Sequence, residues 1–194
     1  MKNFILIIIA FKLSTISFSQ TSPSHSNNPL AFASHPVQNS FDKDSTLRID
    51  TTYGYQVTAP AWLKILETPP NMFGGTFPAV DSIENALLFK CWKKEDFKTL
   101  ENFENWVVRD YSMGQSPKWS PQVKMLLKKQ LDEFKDIGTA YKTQLLRGSK
   151  MYDCCYIIVE TSKSFIWIDF TATSTTYSKN YDKFKEVLSS FKKL

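Results

Sequence analysis

From Thr139 onward, hydrophobic and polar positions organise into short extended runs. Ala140 to Arg147, Lys150 to Thr161 and Phe165 to Thr173 are separated only by Gly148-Ser149 and by Ser162-Lys163-Ser164. Connections this short predict an antiparallel meander. In the last run Ile166, Ile168, Phe170 and Ala172 fall on one side and Phe165 and Trp167 on the other; in the middle run Ile157 and Val159 oppose Tyr156 and Ile158. Both faces are therefore apolar. An antiparallel sheet with one wet face alternates apolar with polar, so this pattern predicts an α+β fold with helices over both sides, a three-layer α/β/α sandwich. One covering helix is expected in the final segment. There Ser178 can cap, Tyr181, Phe184, Val187, Leu188 and Phe191 form the buried stripe, and Lys192-Lys193 sit at the C-terminal dipole.

Upstream, Thr46 to Thr58 reads as strand, turn and strand around Tyr53-Gly54-Tyr55, closed by Pro60, and Leu63 to Glu67 is another extended candidate. The stretch TPPNMFGGTFPAVDS that follows is rich in turn residues, and its Gly74-Gly75 pair is read as a turn. Ala86 to Lys93 is a strand with large side chains on both faces. A helix is predicted from Leu100 to Met113, with Thr99 as N-cap, Glu101 and Glu104 in its first turns, an apolar stripe of Leu100, Phe103, Val107 and Tyr111, and Gly114 beyond its end. Residues 120 to 137 fit two readings. Ser120-Pro121 before Val123, Leu126, Leu127 and Leu131 suits a helix, while the short run MLLKKQL suits an edge strand.

The N-terminal stretch has another character. Met1, Lys2 and Asn3 precede an unbroken apolar run from Phe4 to Phe11, and Ser17-Phe18-Ser19 places small residues before Gln20. That is the pattern of a secretory signal peptide at 1–19, cleaved before Gln20, and its apolar run is far shorter than the roughly 20 residues of a membrane span. No stable membrane insertion is expected after cleavage, and the destination is secreted or periplasmic. Residues 20–45 are rich in Ser, Asn and Pro without period, which predicts a flexible leader. Residues 46–194 then form a single α/β domain, long enough for one core.

Charge and histidine usage remove function classes. The net charge of +5 includes Lys2 and Lys12 of the expected signal, and the lysine pairs at 93–94, 128–129 and 192–193 are scattered among acids, so no nucleic-acid footprint is expected. Both histidines, His25 and His35, lie in the leader. The body therefore lacks the commonest general base and metal ligand, which excludes serine–histidine and cysteine–histidine catalysis there.

Taken together, YGYQVTAPAW near the start of the body, the helix over 99–113 and FIWIDFTATSTTYSKNYDKFKEVLSSFK at its end resemble the PsbP-like fold group, which includes the photosystem II extrinsic protein and a Ran-regulator-like member. The resemblance spans about residues 53 to 192. It implies an antiparallel sheet between helices, with residues 124–131 a strand pairing with 139–147, and binding or accessory roles. It carries no ligand or metal residue onto this chain. The composition and the signal's ending are similar to secreted proteins of Bacteroidetes-type bacteria.

The remaining candidate chemistry is sparse. Cys91 could bridge Cys154 or Cys155 in an oxidising compartment, but not both, because neighbouring strand residues face opposite sides; buried thiols are the alternative. Glu101 and Glu104 share a helix face, as an acid and base pair needs and as a solvated face also explains. Asp169 falls within an apolar strand on the face of Phe165 and Trp167, where it either bonds a backbone or hydroxyl group or lines a pocket. Met72, Phe73 and Phe77, with Trp119 further on, stand in loop-like segments and either tuck inward or form a partner-binding patch. No metal or organic cofactor is expected. The expected function is a non-catalytic binding or accessory role, with another protein as partner. The alternatives are a carboxylate-based enzyme and an inhibitor or immunity-type protein against a secreted effector.

Overall fold

The computed structural model describes residues 45–80, 85–110, 123–147 and 149–194. The expected signal and the leader up to residue 44 lie outside them, as does Trp119. Ser45 already belongs to the first strand.

Strands β1 (Ser45–Asp50) and β2 (Tyr55–Pro60) form the expected hairpin. Its turn requires glycine: Gly54 sits at φ +72°, a left-handed backbone, and donates its N–H to the Asp50 carbonyl at 2.8 Å. The Asp50 side chain accepts from the Tyr53 N–H at 3.0 Å and closes the same turn.

The second sheet has seven strands in the order β3-β4-β5-β9-β8-β7-β6. These are β3 (Lys64–Ile65), β4 (Met72–Thr76), β5 (Ala86–Lys93), β6 (Val123–Leu131), β7 (Thr139–Arg147), β8 (Lys150–Glu160) and β9 (Ser164–Thr173). All its pairings are antiparallel. The meander from β7 to β9 follows the alternation within a residue or so at each end. β6 resolves the two readings of 120–137 in favour of the strand that the family resemblance implied, because pairing along β7 satisfies a whole row of backbone groups.

Gly74-Gly75, read as a turn, lies instead inside β4. A Cβ on Gly74 would stand 2.0 Å from the Leu87 carbonyl oxygen, so the glycine permits close backbone approach to β5 and does not reverse the chain.

Among the described residues few helices accompany the sheets, and the fold is α+β. Helix α1 (Lys94–Phe97) was not foreseen; α2 (Leu100–Glu104) begins where expected, with Thr99 Oγ1 accepting from the Asn102 N–H at 3.2 Å. A π-helical turn, Asn105–Asp110, continues α2. Helix α3 (Tyr177–Ser189) starts one residue before the expected cap Ser178. The Thr176 hydroxyl preceding it bonds Asn85 Oδ1 at 2.9 Å and does not cap the helix. Lys192 and Lys193 do not attend the helix dipole: they form β10 (Lys192–Lys193), which pairs with β2 and completes a three-stranded sheet in the order β1-β2-β10.

Buried side chains fall into two clusters that follow the strand alternation. One joins Leu87, Phe89, Ile157, Ile166, Ile168 and Phe170 to Tyr55 and Val57 of β2 and to Phe184 and Val187 of α3. The other joins Tyr156, Ile158, Phe165 and Trp167 to Phe103, Val107 and Val108 of α2 and the π turn. A buried ion pair, Lys90 with Asp169, lies against Trp167 of the second cluster.

Candidate functional site: a buried ion pair on the second sheet face

Strand β5, ALLFKCWK, sends Leu87, Phe89 and Cys91 into the first cluster, so Leu88, Lys90 and Trp92 face the other way. On β9 the same rule turns Trp167, Asp169 and Thr171 to that second face. The register pairs Lys90 with Trp167 and Leu88 with Asp169, which makes Lys90 and Asp169 diagonal neighbours on adjacent strands. Lys90 Nζ lies 2.6 Å from Asp169 Oδ2, with the two side chains only 3% and 2% exposed. The ammonium also stands 3.6 Å from the centroid of the Trp167 ring, a cation–π contact that adds to the salt bridge. The other carboxylate oxygen, Oδ1, accepts from Thr171 Oγ1 at 2.8 Å.

Around this pair the register lines up further polar groups. Thr143, Cys154 and Thr171 share one row across β7, β8 and β9. Thr171 Oγ1 lies 3.4 Å from Cys154 Sγ, and the buried Thr143 hydroxyl has no hydrogen-bond partner among the described residues. In the next row Tyr156 packs edge-on against Trp167 at 5.0 Å. At the rim the Tyr141 hydroxyl donates to Glu104 of α2, and burial together with that carboxylate raises the phenol above its ordinary range.

Chemically the arrangement is closed. Both Asp169 oxygens are engaged, and the lysine is held by a carboxylate and an aromatic face, so neither is positioned to exchange a proton with a substrate. Such a pair makes single removal costly while contributing little net stability over an apolar replacement. Among the described residues no group of three or more His, Cys, Asp or Glu side chains gathers to hold a metal ion. Burial raises the Cys91 and Cys155 thiols well above the ordinary cysteine range, keeping both as inert thiols.

The residues singled out in the sequence fare unevenly. Asp169 does bond a hydroxyl, as one reading held, but its principal partner Lys90 was missed. The signal was present: a lysine where ALLFKCWK is otherwise almost wholly apolar. Phe73 and Phe77 are tucked core residues and not a partner-binding patch. Phe73 packs against Phe89 at 6.0 Å, and Phe77 against Phe170 at 5.1 Å. Met72 is half-buried at the start of β4. Cys91 bridges neither Cys154 nor Cys155. Cys154 belongs to the second cluster, while Cys91 and Cys155 share the first. The register nevertheless sets these two apart by two strand spacings and about four residues along the strand, roughly 15 Å, against the 4.4–6.8 Å between Cα atoms that a disulfide spans. Glu101 is exposed while Glu104 turns to Tyr141, so the two do not act as a pair.

A shallow groove of 370 Å³ lies elsewhere, lined by Ser45, Thr58, Trp62, Glu186 and Ser190 among others. Its polar groups bond one another: Trp62 Nε1 donates to Glu186 at 3.3 Å, and the Thr58 N–H to Ser190 Oγ at 2.9 Å.

The chain is similar to a cyanobacterial PsbP and to two further solved structures. The solution structure of cyanobacterial PsbP from Synechocystis matches with 14% identity and a TM-score of 0.49, covering 82% of this chain and 98% of that one. A Bacteroides thetaiotaomicron protein matches at 12% identity and a TM-score of 0.45, over 76% of this chain and 48% of its own. A Pseudomonas aeruginosa protein of unknown function matches at 14% identity and a TM-score of 0.44, over 75% and 94%. Comparison with family models found no match, and comparison with curated proteins found none either.

Proposed function

We propose that this chain is a secreted or periplasmic binding protein that catalyses nothing and whose partner is another protein. The observation that carries the reading is where the chemically potent groups lie. The Lys90–Asp169 pair is sealed and mutually neutralised, and the cysteines are held as buried thiols. A carboxylate enzyme needs two acids with separated roles facing a common cleft, and the buried Asp169 carboxylate is already occupied on both oxygens. The three-layer sandwich belongs to the same reading. It is supported by the packing of α3 with one cluster and of α2 and its π turn with the other. Among the described residues no helix is long and apolar enough to cross a membrane.

Used as bait against secreted and periplasmic fractions, the folded protein should retain one protein in stoichiometric amount, and heat-denatured bait should not. Turnover of a hydrolase or redox substrate by the purified protein, abolished by replacing a single carboxylate, overturns the reading. The exported protein should begin at Gln20 in an intact-mass measurement.

A further inference from the structure

The three-stranded sheet ends at β1. Among the described residues β1 has β2 on one side and no strand on the other. Which of its backbone groups point outward follows from the far side of β2. The Thr58 N–H donates to Ser190 Oγ at 2.9 Å, and the Thr58 carbonyl oxygen lies 3.3 Å from the same hydroxyl, on the same side of β2. Thr58 therefore turns its peptide groups away from β1. In an antiparallel ladder directly opposed residues face either both toward each other or both apart, so Leu47, opposite Thr58, turns its own N–H and C=O outward. Ile49, two residues on, does the same.

These residues also carry exposed apolar side chains. Leu47 is 40% and Ile49 54% exposed, and both project from the outer face of the sheet. The described strand has no lysine, no proline and no register shift, three of the devices that blunt an edge, and carries only the inward-facing charges of Arg48 and Asp50. Its charges, Arg48 and Asp50, flank Ile49 symmetrically and already bond each other at 2.8 Å.

We propose that β1 pairs antiparallel with β1 of a second copy of this chain about a two-fold axis at Ile49, so that the small sheet continues across a dimer. In this register Ile49 opposes its twin and exchanges both backbone hydrogen bonds with it. Leu47 lies diagonally beside Ile49 of the second copy on the same apolar face. On the inner face Arg48 opposes Asp50 of the second copy, and the four charges alternate in sign. Moving the axis to Arg48 would set two guanidinium groups opposite each other, so the charge pattern selects the Ile49 register. A symmetric self-complementary patch of this kind closes at two subunits. The inference is independent of the protein-partner reading above and concerns a different observation.

Light scattering on the eluting purified protein, from micromolar to submillimolar concentration, should give twice the monomer mass. Ile49→Lys, which sets two ammonium groups at the axis, should weaken the dimer at least tenfold while leaving the far-UV circular dichroism of the folded chain unchanged. Ile49→Cys should yield a covalent dimer on mild oxidation, because opposed strand residues lie within disulfide reach. Leu47→Cys should not, since its twin lies about 13 Å further along the strand. A monomer throughout the range, a dimer untouched by Ile49→Lys, or cross-linking at Leu47 in place of Ile49 each overturns the proposal.

Discussion

The two faces of the seven-stranded sheet are built from the same strands yet solve burial differently. The face shared by Leu87, Phe89, Ile157, Ile168 and Phe170 is filled by aliphatic and aromatic bulk. The opposite face is equally buried but includes Lys90 and Asp169, with Thr143 and Thr171 beside them. Bulk tolerates exchange provided volume is kept, whereas a buried ion pair tolerates only joint replacement. The first face is thus defined by shape, and the second by pairing.

That contrast breaks most sharply at Asp169. Asp169→Leu leaves an uncompensated ammonium in the interior and should cost about 3–5 kcal/mol in urea unfolding, while the double variant Lys90→Met with Asp169→Leu should regain most of the loss. A double variant no better than the single one would show that the pair is needed as charges. Next in size, Ile168→Ala on the first face and Trp167→Ala on the second should each cost roughly 2–5 kcal/mol. If only one of the two matters, one face is less buried than described. Gly74→Ala tests the close approach of β4 to β5. With a Cβ 2.0 Å from a backbone oxygen, a loss of about 1–3 kcal/mol is expected from thermal melts.

The smallest effect is alkaline. Tyr55 in the first cluster and Tyr141 at the rim of the second both have phenols raised above their ordinary value by burial, Tyr141 also by Glu104. The folded state then holds these protons more tightly than the unfolded chain. Stability is fully present below the ordinary phenol value of about 10 and falls as the pH rises past it. Tyr141→Phe should flatten part of that decline in melts taken at rising pH.

Much of this fold was legible where alternation and short connections coincide. The strands from β7 to β9, β5 and the first hairpin carry their side-chain period openly, and both apolar faces were visible before any pairing was known. Legibility failed where a local signal had two physical causes. Gly74-Gly75 marks either a reversal or a close backbone approach, and only the neighbouring strand decides. Val123, Leu126, Leu127 and Leu131 fit a helical stripe, and pairing along β7 overrides it. The candidate site was half legible. Asp169 stood out among apolar neighbours, but its partner depends on the β5–β9 register, which no single strand encodes. The same missing register made a Cys91 bridge look feasible, while the loop-like setting of Phe73 and Phe77 suited tucking and exposure alike, and their packing decides for the core.

The pairing of β10 with β2 has a consequence for the order of synthesis. Lys192 meets Gln56 and the Leu194 N–H reaches the Gly54 carbonyl at 2.9 Å, so the second edge of β2 is covered by residues made about 135 positions later. A growing chain presents the β1–β2 hairpin long before that cover exists, and for that interval the β2 edge stands without it. Completion of the small sheet therefore waits until Lys192 to Leu194 have been made.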